Sequence, residues 1–253
     1  MKQERLSRIG IKQALRIEWF DEVLRYYQTY KEDEKQIREL LDNFLSDKLQ
    51  RGGVGQRGQK TYKMAITPLI TCWVNPFEDT TSIRDAAYDI FIQNPSSNTS
   101  VIHWCLMIAN YPFWYQVALQ CSRLLRLQEK FQNQEIKIRM KEIYGGRNTV
   151  ERNTRYTVQS LLAWNFIEKT ETKGVYKKST EKIPISPAEI PLLFHSIMLA
   201  TDRDRVYLEE ISSSPILDFF STHSMQSKDI KHYPFLEKVN TTYHESYLVI
   251  KNK

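Results

Sequence analysis

A short stretch after Gly146 has the residue types and spacing to read nucleic-acid bases. In NTVERNTRYTVQSLLAWN, a helix would put Val150, Thr154, Val158, Leu161 and Leu162 on one face and Asn148, Glu151, Arg152, Arg155 and Gln159 on the other, with Arg147 just before it. Arg forks onto the edge of guanine, and Asn or Gln matches adenine, so such a set at the N-terminal end of a helix suits insertion into a major groove. Arg152 and Arg155 lead this set.

A second set carries charge rather than base-reading groups. Lys169, Lys177 and Lys178 fall in two short strand-like runs, 166–170 and 175–179, and Lys173 in the turn Glu171-Thr172-Lys173-Gly174 that joins them. Gly174 can take a positive φ, so the segment reads as a hairpin with a phosphate-facing edge. A third set, Arg51, Arg57 and Lys60, lies in RGGVGQRGQK, which holds four of the chain's eight glycines. As an arm it would touch backbone phosphate or a minor groove. As a connector it is merely solvated, the reading that glycine-rich composition favours. It is not a phosphate-binding loop, because the G-x-x-x-x-G-K-[ST] order is missing.

The remaining chemistry-bearing residues give little. His103, His195, His223, His232 and His244 are scattered, and His103 and His195 sit in apolar helical runs, where a satisfied core imidazole is the ordinary outcome. Asp202, Asp204, Glu209 and Glu210 are the nearest thing to a nuclease-like carboxylate set. Beside Arg203 and Arg205 the favoured reading is a solvated charged loop leading into an exposed helix. Cys72, Cys105 and Cys121 lie singly in apolar runs and read as reduced core thiols, with no ligand spacing for zinc. No catalytic residue, cofactor or metal is expected.

The positive charge is local. Residues 112–182 hold 14 Lys and Arg against 7 Asp and Glu, a net of +7, whereas 1–111 is +1 (15 against 14) and 183–253 is −2 (7 against 9). Charge concentrated in one module is the footprint of phosphate neutralisation.

The elements that must position these residues follow from periodicity. A helix from Trp114 carries Val117, Leu119, Leu124 and Leu127. Phe131 lies in a short extended link, and a second helix bears Ile136, Met140 and Ile143 and stops at Gly145-Gly146. Asn148 or Thr149 caps the third. Helix, helix, helix and hairpin in this order predict a winged helix-turn-helix over 112–182. Upstream, 1–111 reads as a helical bundle: 11–30 and 33–49 as two antiparallel helices, 64–74 as helix or strand, 82–93 as a helix, and a helix capped by Thr99 that ends near Asn110. The basic glycine-rich loop 51–60 interrupts it. Downstream, 183–253 reads as a mixed, mainly helical extension, with Ser186 capping and Pro187 opening a helix through Leu199 and a strand-like end. The fold class is therefore mainly α: an N-terminal helical bundle packed on a winged helix-turn-helix, with a mixed helical C-terminal region.

Three segments, YPFWYQVA, NTVERNTRYTVQSLLAWNFIE and ISPAEIPLLF, resemble the BrxA family of bacterial BREX phage-defence systems. The resemblance spans 111–190 and does not extend into the N-terminal half or the Lys-rich wing. It implies a small, non-enzymatic DNA-binding component of a defence operon. The residues alone imply double-stranded DNA as the partner. The alternative is an adaptor whose module docks another subunit of a multiprotein complex, such as a defence assembly. A charged N-terminus without an apolar core, and the absence of eighteen consecutive apolar residues, point to a cytoplasmic protein without a membrane partner. Oligomeric state is not legible in one chain.

Overall fold

The computed structural model describes residues 2–31, 33–50, 60–95, 98–221, 229–241 and 245–251. Two helices form its centre because their sequences are apolar all round and have no face to give to water. These are α6 (Ser100–Asn110) and α10 (Glu189–Ala200), both buried along their whole length. Around them pack α2 (Ile17–Tyr30), α4 (Lys60–Trp73), α5 (Thr81–Gln93) and α7 (Pro112–Leu127), with α3 (Glu34–Gln50) against α2 and α4. A single apolar cluster runs from Ile11 to Leu248, so the core is continuous across the sequence.

The first long helix begins later than the periodicity of 11–30 suggests. The backbone of Leu15 is taken up elsewhere: its N–H donates to Ser160 Oγ at 2.8 Å, and its carbonyl accepts from Trp164 Nε1 at 3.1 Å. Those groups are therefore satisfied without a helical ladder, and α2 starts at Ile17. The short α1 (Lys2–Ser7) is anchored by Arg5, which is fully buried. Arg5 donates to both oxygens of Asp79 and to the carbonyls of Ala109 and Leu199, at the C-terminal ends of α6 and α10. A cation there meets two helix ends whose carbonyls lack intrahelical partners. Of the stretch read as helix or strand, α4 is the helical outcome, with Pro68 inside it. Thr99 does not cap α6 with its side chain. Asn98 Oδ1 accepts from the N–H of Ser100, and the Thr99 hydroxyl turns to Asp21.

Residues 112–178 run α7, β1 (Lys130–Gln132), α8 (Asn133–Tyr144), α9 (Asn148–Ala163), β2 (Ile167–Lys169) and β3 (Val175–Lys178). The three strands form an antiparallel sheet in the order β1-β3-β2. The expected extended link at Phe131 is thus a paired strand, with Phe131 opposite Tyr176. A capping box opens α8, the Gln132 side chain meeting the N–H of Glu135 and Glu135 reaching back to Gln132. Gly145 stops α8 with φ +84°, and Gly174 turns the hairpin with φ +81°. The expected cap of α9 is corrected: Arg147 holds that position with no side-chain bond, and Asn148 is already helical. Asn165, at φ 59°, ends the helix, with Phe166 N–H returning to Leu161 carbonyl.

The C-terminal part is less helical than the sequence suggests. Besides α10 and the short α11 (Leu208–Ser212), it contains β4 (Ile183–Pro184) paired in parallel with β6 (Phe220–Ser221). A sheet of β5 (Arg205–Tyr207), β8 (Ser246–Ile250) and β7 (Leu236–Asn240) completes it, in the order β5-β8-β7. Strands so short carry too few alternations to be read one at a time. The expected helix start at Ser186 is displaced to Glu189, whose carboxylate accepts from both the N–H and the hydroxyl of Ser186.

One aromatic cluster links these regions. Trp104 of α6 lies 4.3 Å from Phe166 and 6.3 Å from Trp114 of α7 between ring centroids. Trp164, at the end of α9, is 5.6 Å from Trp114, and Phe166 is 5.3 Å from Phe219. Such tilted and edge-on pairs are favourable beyond the area they bury.

Candidate nucleic-acid interface

The site begins with why α9 presents one polar face outward. Its inner face holds Val150, Val158 and Leu161, but also Asn153, Thr154, Thr157 and Ser160, all buried. The donors of these side chains are satisfied by the helix itself, while the Asn153 Oδ1 is buried without a partner among the described residues. Asn153, Thr154, Thr157 and Ser160 donate to the carbonyls of Thr149, Val150, Asn153 and Tyr156 at 2.7 to 3.0 Å. Leu162, expected inward, is half-buried. The other face is open: Arg147, Asn148, Arg152, Arg155 and Gln159 are all exposed. The structure therefore brings these five together along one helix.

Their surroundings separate committed cations from free ones. Among the described residues, neither Arg152 nor Arg155 has a carboxylate partner. The Arg155 guanidinium lies 5.2 Å from the ring of Tyr156, and Arg147 reaches the Tyr144 carbonyl at 3.4 Å. Glu151, the acid on this face, is paired with Lys141 of α8, which holds its carboxyl below the usual range. The acid that would oppose phosphate is thus screened by a neighbouring lysine.

The hairpin lysines divide in two. Lys169 and Lys173 are exposed. Lys177 stands opposite Glu168 across the β2 and β3 pairing, its Nζ 3.2 Å from the carboxylate. Glu168 also accepts from the N–H and hydroxyl of Thr180 and from Ser179. The Thr180 N–H and hydroxyl, with Lys177 and Ser179, pull its pKa down to about 2. Lys178 lies 4.0 Å from Asp218, which is also held by Arg126. Among the described residues, the expected four-lysine edge is therefore two lysines without a carboxylate partner and two in ion pairs. Sequence reasoning missed Lys130, which the register sets opposite Lys177 on the other side of β3. Its signal was the alternation of Lys130, Phe131 and Gln132 about a buried aromatic.

Of the glycine-rich set, Arg51 and Arg57 lie outside the described residues, and Lys60 is the first residue of α4 rather than part of a loop. His223 and His244 also lie outside them.

The other candidate chemistry is dispersed. Asp202 and Asp204 face Lys2 at 2.8 and 4.0 Å, and Glu210 pairs with Arg203. Among the described residues, no group of three or more His, Cys, Asp and Glu is placed to hold a metal ion. His103 accepts from Trp73 Nε1 at 3.1 Å through Nδ1, which leaves Nε2 to donate to Asp21 at 3.0 Å. Burial lowers its pKa despite that carboxylate. His195 lies 3.0 Å from the Tyr233 hydroxyl, and burial lowers its pKa to about 4. All three cysteines are buried, and burial raises each thiol. No helix among the described residues is long and apolar enough to cross a membrane.

No protein-family profile, curated protein or solved structure matches the chain.

Proposed function

We propose that residues 112–182 form a winged helix-turn-helix that binds double-stranded DNA without enzymatic turnover. In this reading α9 enters the major groove, Arg152 and Arg155 contact bases with Arg147, Asn148 and Gln159 around them, and Lys169 and Lys173 of the hairpin meet phosphates. The observation that carries the proposal is the pairing of an exposed α9 face, whose arginines have no carboxylate partner among the described residues, with the β2-β3 hairpin directly following it, which β1 from before α8 extends into a three-stranded sheet. The order α7-β1-α8-α9-β2-β3 supports it, since it places two helices and then a hairpin as such modules do.

The test is fluorescence anisotropy of the full chain against random-sequence duplex DNA at roughly 50 and 200 mM salt. Phosphate contacts make affinity fall by orders of magnitude between the two. Absence of binding at the lower salt overturns the proposal.

A second reading is favoured by one observation. Leu127, at 80% exposed, and Ile138 and Ile143, each close to half exposed, are apolar groups that the same module leaves in water. An adaptor would cover them with a partner subunit, and its affinity would change little with salt. The phage-defence role rests on the BrxA resemblance alone. Its test is whether loss of the gene lowers protection of a host that carries the operon.

A further inference from the structure

A cleft of about 600 Å³ opens between α7, the last turn of α8, α10 and α11. That volume is in the range that holds a small organic ligand. The apolar part of its floor is made by Leu119, Ile197 and Met198, all buried, beside the polar Gln120, Thr201 and Ser214. Ile143 borders it from α8 and is 49% exposed, a large apolar side chain facing open space.

The polar groups at this cleft leave one positive charge unmatched. Arg203 is bound by Glu210, so that pair is neutral. Arg126, one turn beyond Arg123 on α7, is bound by Asp218. Arg123 is exposed, lines the cleft, and has no carboxylate partner among the described residues. Its charge is felt inside: burial raises the pKa of the Tyr115 hydroxyl, while a hydrogen bond to Ser214 and the field of Arg123 oppose the rise. A free guanidinium over an apolar patch asks for a ligand with both characters, because the guanidinium forks onto a carboxylate or sulfonate and the patch gains by losing water.

We infer that this cleft binds a small monoanion with an apolar body, such as an aromatic carboxylate, its head on Arg123 and its ring against Leu119, Ile197, Met198 and Ile143. Such binding is independent of any role in DNA binding, and its test contains no DNA.

The probe is anilinonaphthalene sulfonate, titrated by fluorescence into the full chain and displaced by naphthoate or by its neutral counterpart naphthamide. One saturable site is expected, with naphthoate displacing about tenfold better than naphthamide, the scale of one charge-assisted hydrogen bond. Arg123→Gln should abolish that preference, and Ile143→Asp should weaken both competitors. Both positions are exposed, so the variants are expected to melt as the parent does. Equal displacement by acid and amide in the parent overturns the inference. So does an unaltered preference in Arg123→Gln, or the lack of any saturable site.

Discussion

Lys177 and Glu168 face each other across the hairpin, with Nζ 3.2 Å from the carboxylate, so a lysine of the hairpin is already neutralised within it. Lys173, at the tip, has no such partner among the described residues. The salt dependence of DNA binding should separate the two. Replacing Lys169 and Lys173 together by Gln should flatten the slope of log K against log salt by about 2, whereas Lys177→Gln should leave it nearly unchanged. A Lys177→Gln slope flattened by about 1 would mean that the ion pair opens on DNA.

The face of α9 makes a different kind of prediction, because base recognition carries sequence preference and phosphate binding does not. Arg152→Ala with Arg155→Ala should cost about 1 to 3 kcal/mol for each base that an arginine reads, and should reduce discrimination between duplexes. Neither residue is buried, so the double variant should melt at the parent temperature. Unchanged affinity in that folded variant would remove α9 from the interface.

Arg5 tests the frame rather than the site. It is fully buried, and its charge is balanced by Asp79 at 2.7 Å. Asp79→Ala leaves the guanidinium inside without its counter-charge, and uncompensated buried charges cost about 3 kcal/mol or more. A fall of roughly 6 to 12 °C in melting temperature is expected for a chain of this size. A shift of a degree or less would show that the carbonyls of Ala109 and Leu199 suffice to hold Arg5.

His195 sets a pH dependence with a definite sign. In the unfolded chain its imidazole takes a proton near pH 6.5, and in the folded chain burial delays this to about 4. Between those values the unfolded state binds more protons, so stability falls as pH falls, and above pH 6.5 this residue contributes no slope. From pH 7 to pH 5 the loss from this group is about 2 kcal/mol. Urea unfolding at the two pH values should show a smaller loss in His195→Gln than in the parent. Equal losses would assign the acid sensitivity to other groups, His103 among them.

Local signals made the module's helices legible. Ile136 and Met140 mark the buried period of α8, whose third expected position, Ile143, is 49% exposed; Gly145 marks its end and Gly174 the hairpin turn, because each acts through its own or adjacent backbone. What escaped depends on partners far along the chain. β1 is only three residues long and becomes a strand by pairing with β3. The start of α2 is delayed by Ser160 and Trp164, and the state of Lys177 is decided by Glu168. Within the candidate site, residue types predicted the exposure of Asn148, Arg152, Arg155 and Gln159 on α9, but no pattern of types revealed which hairpin lysines were already paired.

The aromatic cluster has a consequence for where the chain can be cut. Its rings come from α6, α7, the end of α9, the approach to β2 and the residues before β6, so only a piece that reaches from α6 to Phe219 contains the whole of it. A fragment limited to 112–182 would leave Trp114, Trp164 and Phe166 without Trp104 and Phe219, and Leu15 would be gone from Trp164 and Ser160. The basic module is thus not a transferable cassette. Its helices borrow their solvent-excluded side from both flanks, and grafting it onto another scaffold would require those flanks to travel with it.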